Sequence, residues 1–109
     1  MSTRKSGIDA EQYFKLTLGR LTLGEAIKAL RLSDEISQTD FAEKMGVSRQ
    51  YLCDLEAGRK AVSVAKAVEF AKKLKQPKEL FVTLAIQDEL ERYHLPFVVS
   101  LAEKKRKIA

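Results

Sequence analysis

The sequence predicts an all-α domain of five short helices, followed by one short β-strand. Apolar residues recur with helical spacing through most of the 109 residues, and serine, glycine and proline punctuate them. A chain of this length holds one domain with a single modest core. We expect an N-terminal arm with a short helix at residues 1–20, the main domain at 21–93, and a C-terminal strand with a basic tail at 94–109.

Capping residues predict where the five helices begin. Thr22, with Glu25 three residues later, forms a capping box, and serine is a favoured N-cap residue. Pro77 suits the start of a fifth helix that runs to about Tyr93. The predicted N-terminal boundaries, in chain order, are Thr22, Ser37, Ser48, Ser63 and Pro77.

The apolar face of each predicted helix gives the expected core. Gly46 is predicted to end the second helix in a left-handed conformation, and Gly58 to end the third. The inward residues of the five helices are Leu23, Ala26, Ile27 and Leu30; Phe41, Ala42 and Met45; Leu52 and Leu55; Val64, Ala67, Val68, Ala71 and Leu74; and Leu80, Phe81, Leu84 and Ala85.

The C-terminal part of the chain predicts a homodimer. The fifth helix carries a second apolar stripe, more than a surface helix needs, and the residues after it alternate as in a strand. A single strand leaves its backbone groups unpaired unless another chain supplies a partner. We therefore predict dimerisation through Val82, Ile86, Leu90, Tyr93, Phe97, Val99 and Leu101.

Composition narrows the classes of function. The net charge of +5 suits a polyanionic partner without establishing one. We expect no membrane span, because no long apolar run occurs, and no signal peptide, because no apolar region follows Arg4 and Lys5. The lone Cys53 fits a reducing cytoplasm. One histidine, His94, and one cysteine without a phosphate-binding loop or metal-ligand spacing predict no enzyme, no cofactor and no metal.

The segment SQTDFAEKMGVSRQYLCDLEAGRK, residues 37–60, predicts how the second and third helices pack. Ala42 is small where the two helices cross closely, and Gly46 tolerates positive φ in a three-residue turn. Two short helices joined in this way form a helix-turn-helix unit. In that unit the second helix lies in the DNA major groove, with its N-terminal side chains at base edges.

The stretches LGEAIKALR, SQTDFAEKMGVSRQYL and LEAGRK resemble the Cro and phage-repressor (XRE-like) family of helix-turn-helix regulators. The resemblance runs from Leu21 to Leu84. It implies a five-helix repressor-like fold that binds double-stranded DNA. We predict a sequence-specific regulator, a repressor, that occupies a palindromic operator as a homodimer with its C-terminal strand paired across the dimer.

The resemblance also implies residue roles. Base contacts would come from Arg49, Gln50, Tyr51 and Asp54, and backbone contacts from Gln38, Ser48, Arg59 and Lys60. Arg31 and Glu56 match a pair that ties the first helix to the end of the third. Asp54 departs from the neutral or basic residue preferred there, and would either accept from a cytosine amino group or orient Arg49. Tyr51 would alternatively pack against Leu55 or stack on a neighbouring side chain.

Two other functions stay open. Small chains of this family often resemble antitoxins, which repress their own operon and bind a protein toxin; the N-terminal arm and the second apolar stripe suit that role. The other alternative is a protein-interaction module that has lost DNA binding. Its support is the balance of acidic and basic residues within 37–60, since the surplus lysines lie further along the chain. We expect Cys53 to be inert, so that oxidation does not regulate binding.

Overall fold

The computed structural model describes residues 21–104, and five α-helices lie within that range. They are α1 (Leu23–Ser33), α2 (Gln38–Met45), α3 (Arg49–Glu56), α4 (Val64–Leu74) and α5 (Lys78–Arg92). This confirms the predicted all-α class. The predicted short helix of the N-terminal arm and most of the basic tail lie outside the described residues. None of the five helices is long and apolar enough to cross a bilayer.

The predicted N-caps are confirmed. The Thr22 hydroxyl accepts from the backbone N–H of Glu25, whose carboxylate accepts from the backbone N–H of Thr22, each at 3.0 Å. The hydroxyls of Ser37, Ser48 and Ser63 each accept from a backbone N–H three residues later. Because each such cap stabilises a helix by about 1 kcal/mol, the sequence itself fixes where these short helices begin.

The core lies where the five helices meet. α3 packs on α1 and α2, α2 also on α4, and α5 on α4 and α1. The predicted inward residues of α1, α2, α3 and α5 are all buried. In α4 the prediction for Val64 is wrong: this residue is 44% exposed in the first turn, and Phe70, which was not predicted, is fully buried. Val68 is half-buried.

The chain after α5 is held against that helix by a buried amide. Gln87 Nε2 donates to the carbonyl of Phe97 at 2.9 Å, and Gln87 Oε1 accepts from the backbone N–H of Val99 at 2.8 Å. No strand is present between residues 21 and 104, so the predicted strand and its pairing across a dimer stay predictions.

Gly24 sets the distance between α1 and α3. A Cβ atom on this buried glycine would lie 1.9 Å from the carbonyl oxygen of Leu55, which is far inside van der Waals contact. The two helix backbones therefore touch at this point, and only a glycine permits it. This role of Gly24 was not predicted, because Leu55 is distant from it in the sequence.

We expect Gly24→Ala to lower the free energy of unfolding by about 3 kcal/mol or more, because the backbone of α3 must move away from α1. Urea unfolding followed by circular dichroism measures this change. Gly58→Ala is the matched control: its φ is +83° but no atom lies within 4 Å of the new Cβ, so it should cost only about 1–2 kcal/mol. Equal losses in the two variants would contradict the close-contact argument.

Asp88 links the start of α1 to α5. Its Oδ2 accepts from the backbone N–H of Leu23 at 3.0 Å, and it lines an open cleft between the start of α1, the loop after α3 and the last turns of α5. Burial raises the pKa of the Asp88 carboxyl to about 6. The folded protein thus binds a proton here at pH values where the unfolded chain has released it.

This raised pKa predicts a pH-dependent stability. The contribution of Asp88 is fully present below pH about 4, the unfolded pKa, and is lost as the pH rises through 6. Relative to Asp88→Asn, the wild type should lose about 1–2 kcal/mol of unfolding free energy between pH 4 and 7, a figure reduced for solvent screening of this half-buried group. Urea titrations across this range measure it. A pH-independent difference, or one of opposite sign, would contradict the assignment.

Candidate nucleic-acid interface

α2 and α3 form the predicted helix-turn-helix unit, joined by three residues. Gly46 ends α2 with φ +77°, the predicted left-handed conformation. The backbone N–H of Val47 then donates to the carbonyl of Ala42 at 3.0 Å, and Val47 packs against the core. Ser48 caps α3. The turn is therefore held by backbone bonds at one end and by a side-chain cap at the other.

The amino end of α3 faces solvent while the rest of the helix is anchored in the core. Leu52 and Leu55 are buried, whereas Arg49 and Gln50 are exposed. The side chain of Arg49 makes no hydrogen bond or ion pair with any residue from 21 to 104. The guanidinium of Arg49 and the amide of Gln50 thus both lie on the exposed first turn of α3.

Asp54 organises the two polar side chains beside it. Its Oδ1 accepts from Gln50 Nε2 at 3.0 Å, from Arg59 Nε at 3.1 Å and from Arg59 Nη2 at 2.8 Å. The hydrogen bond from Arg59 lowers the pKa of the Asp54 carboxyl, so Asp54 is a carboxylate at neutral pH. Its Oδ2 makes no hydrogen bond within the described chain. In this structure Asp54 bonds to Arg59 and not to Arg49, and its predicted role beside the DNA bases stays a prediction.

Tyr51 packs inward and supports Lys60. Its ring lies edge-on to Phe70, with centroids 6.1 Å apart and planes at 72°. The ammonium group of Lys60 lies 5.1 Å from the centroid of the Tyr51 ring, a cation–π contact. Burial raises the pKa of the Tyr51 hydroxyl. The structure therefore favours the packing role for Tyr51, with its ring placing a cation at the edge of α3.

Glu56 fixes three helices at the other end of α3. Arg31 Nε and Nη2 donate to its two oxygens at 2.8 and 3.1 Å, and Gln38 Nε2 donates to Oε1 at 3.0 Å. Burial raises the pKa of Glu56, but these hydrogen bonds outweigh it and the pKa lies below its ordinary value. Arg31 also donates to the carbonyl of Ile36 at 3.1 Å. The predicted pairing of Arg31 with Glu56 is confirmed.

The remaining candidates lie around the same surface. Gln38 is the first residue of α2 and is half-buried through its bond to Glu56, while Ser48 is exposed at the start of α3. Cys53 is half-buried, with its sulfur 4.0 Å from Arg59 Nη2. Between residues 21 and 104, no three His, Cys, Asp or Glu side chains come close enough together to form a metal site.

The comparisons with known proteins agree with this geometry. A protein-family model described as helix-turn-helix matches residues 27–81, from the middle of α1 to the first turn of α5. Neither the curated proteins nor the solved structures yielded a match. The family match covers slightly more than half of the chain and includes the whole of α2, the turn and α3. The chain therefore belongs to the Cro and phage-repressor (XRE-like) family of helix-turn-helix DNA-binding proteins.

Proposed function

We propose that this protein is a sequence-specific DNA-binding repressor that occupies a palindromic operator as a homodimer. The observation that carries the proposal is the amino end of α3, where Arg49 and Gln50 face solvent while Leu52 and Leu55 hold the helix in the core. A helix exposed in this way fits the major groove of B-form DNA.

Base recognition is assigned to the exposed face of α3. The free guanidinium of Arg49 matches the O6 and N7 acceptors of guanine, and the Gln50 amide matches adenine N6 and N7. Asp54 has an oxygen that is free of other described residues and suits the amino group of cytosine. The bond from Gln50 to Asp54 limits the positions that both side chains adopt before DNA arrives.

Backbone contacts are assigned to the residues around the two helix starts and the loop after α3. The N-terminus of α2, where Gln38 lies, favours a phosphate through its free N–H groups and its dipole. The exposed Ser48 hydroxyl lies at the start of α3, and Arg59 and Lys60 follow that helix. Lys60 is held against the Tyr51 ring, so its charge has a defined place beside the reading surface.

In a dimer, the second copy of the protein would bind the second half-site of the operator. Tyr93 and Phe97 are 65% and 58% exposed, and Val82, Ile86, Leu90 and Val99 are half-buried along the same end of the chain. Two-fold symmetry places two copies of α3 in successive major grooves, about 34 Å apart. A bound dimer excludes other proteins from the same base pairs, which is the physical basis for proposing repression.

The proposal is tested by selecting binding sites for the purified protein from a random duplex pool at low salt. We expect an enriched motif with two-fold symmetry and half-site centres about one helical turn apart. An asymmetric motif would contradict the dimeric operator. If no sequence is enriched, the proposal fails, and the chain is better explained as a protein-interaction module.

Arg49 and Lys60 should affect binding in different ways. Arg49→Ala should reduce discrimination at one base pair of each half-site by about 1–3 kcal/mol, because it removes a bidentate base contact. Lys60→Ala should weaken binding to all sequences alike and reduce the slope of log K against log salt by about one unit for each half-site. Competition binding against single-base operator variants at several salt concentrations measures both effects.

Lys78→Ala is the matched control, since it removes the same charge from α5, outside the helix-turn-helix unit. It should leave the base preference unchanged and alter the salt slope less than Lys60→Ala does. Equal losses across all sites for Arg49→Ala and Lys60→Ala would contradict the division between base and backbone contacts.

A further inference from the structure

The chain turns back at the end of α3 and brings Arg59 alongside Asp54. Gly58, with φ +83°, donates its backbone N–H to the carbonyl of Leu55 at 3.1 Å. The backbone N–H of Arg59 donates to the carbonyl of Asp54 at 2.8 Å. This pair of bonds is the Schellman arrangement that ends many helices. The backbone itself therefore places residue 59 beside the last turn of α3.

The guanidinium of Arg59 uses only one oxygen of the Asp54 carboxylate. Nε and Nη2 of Arg59 donate to Oδ1 at 3.1 and 2.8 Å, and Gln50 Nε2 donates to the same oxygen at 3.0 Å. These donors fix the position of the carboxylate, while Oδ2 has no hydrogen-bond partner among residues 21–104. Asp54 is thus held by one oxygen and can accept from a DNA base with the other.

The same carboxylate decides which way the Gln50 amide faces. An ionised carboxylate only accepts hydrogen bonds, so the nitrogen of the amide, and not its oxygen, must face Asp54. The second N–H and the oxygen of the amide are then left for another partner. Adenine offers the matching pair, N7 as an acceptor and the N6 amino group as a donor. The orientation of Gln50 therefore depends on a carboxylate that Arg59 holds in place.

We infer that Arg59 is a positioning residue that sets the base preference of Asp54 and Gln50, in addition to contacting a phosphate. The inference rests on the proposed function and adds a route by which the loop after α3 controls specificity. Two of the guanidinium N–H groups bind Asp54, and the others remain for a phosphate. One side chain would then join the DNA backbone to the residues that read bases.

The pair contributes little to the stability of the folded protein. The side chains of Arg59 and Asp54 are 60% and 27% exposed, and exposed ion pairs add little to the free energy of unfolding. In a complex with DNA the same pair would lie among phosphates, which repel an uncompensated carboxylate. Arg59 compensates that charge, so that Asp54 can approach the amino group of cytosine.

Binding to operator variants with single base changes tests the positioning role. Arg59→Ala should lower discrimination by at least about threefold at the base pairs read by Asp54 and Gln50, because both side chains lose their fixed positions. At the base pair read by Arg49, discrimination should stay within about twofold of the wild type, because the Arg49 side chain makes no bond to this group. Alanine variants of the three reading residues assign the base pairs beforehand.

Lys60→Ala is the matched control. This neighbouring lysine lies against the Tyr51 ring and makes no hydrogen bond to Asp54. Its removal should weaken binding to all sequences by the same factor. If Arg59→Ala also weakens all sequences equally, the positioning role is overturned and only the phosphate contact is left.

Arg59→Lys separates geometry from charge. Lysine keeps the positive charge but lacks the planar fork of donors, so affinity and salt slope should stay close to those of the wild type while base discrimination falls. Full discrimination in this variant would overturn the positioning role, because charge alone would suffice. In an Asp54→Ala background, Arg59→Ala should cause no further loss of discrimination. A further loss would show that Arg59 acts independently of Asp54.

NMR titration of the side-chain carboxyl carbon tests the contact in the free protein. The hydrogen bond from Arg59 holds the pKa of the Asp54 carboxyl below its ordinary value, so Arg59→Ala should raise this pKa. Gln50→Ala removes a neutral donor instead of a charged one and should raise the pKa less. An unchanged pKa in Arg59→Ala would overturn the inference without any experiment on DNA.

The outcomes separate this inference from the proposed function. If the wild type enriches no sequence from random duplexes, the DNA-reading function and this inference both fail. A symmetric motif whose base preferences are unchanged in Arg59→Ala overturns the inference alone, and so does a motif that depends on neither Asp54 nor Gln50. A loss of preference confined to the base pairs read by those two residues supports both.

Discussion

The carboxylate of Glu56 accepts hydrogen bonds from Arg31 on α1 and Gln38 on α2, so the last turn of α3 is fixed to both helices. Only 4% of the Glu56 side chain is exposed. A buried ion pair adds little net stability, because desolvating two charges offsets their attraction. The pair does make other orientations of α3 costly, because moving the helix would leave a buried charge without its partner. The position of the exposed end of α3 depends on this constraint at its other end.

The close contact of Gly24 with Leu55 acts together with this ion pair. The backbone contact fixes how near α3 lies to α1, and the Arg31–Glu56 bonds fix its rotation. With α3 held in this position, Leu52 and Leu55 are buried in the core, and Arg49 and Gln50 are exposed. A helix of eight residues has little stability of its own. Its precision as a reading surface therefore comes from the core beneath it.

In the proposed complex with DNA, the charges around α3 would separate the residues that give affinity from those that discriminate between sequences. Arg59 is paired with Asp54, so its charge is locally compensated, whereas Arg49 has no ionic partner among the described residues. Under the proposed function, general attraction to phosphate would fall to Lys60 and the lysines further along the chain, and discrimination between sequences would fall to the amino end of α3. The balanced composition of residues 37–60 is consistent with this division, since an acidic residue beside the bases restricts which sequences are accepted.

Local signals in the sequence predicted the helices, their caps, the left-handed Gly46 and most of the core, because these depend on neighbouring residues. Contacts between distant residues were not predictable. Gly24 meets Leu55 only after folding. Which face of α4 packs on α2 and α5 is also a contact between distant residues, and it leaves Phe70 buried and Val64 exposed. The DNA contacts of single α3 residues stay predictions. The bond between Asp54 and Arg59 was not predicted, because it depends on the turn at Gly58, which lies between the two residues.

Gln87 connects the core to the end of the chain. Its amide lies inside the protein, where an unpaired polar group would be costly, and the backbone of residues 97–99 satisfies it. The C-terminal segment thus completes the packing of α5, and α5 packs directly on α1 and α4. A second copy that pairs with this segment would be joined to α3 through rigid helices rather than a flexible linker. The separation of the two reading surfaces in a dimer would then be set by the fold itself, which is what a fixed operator spacing requires.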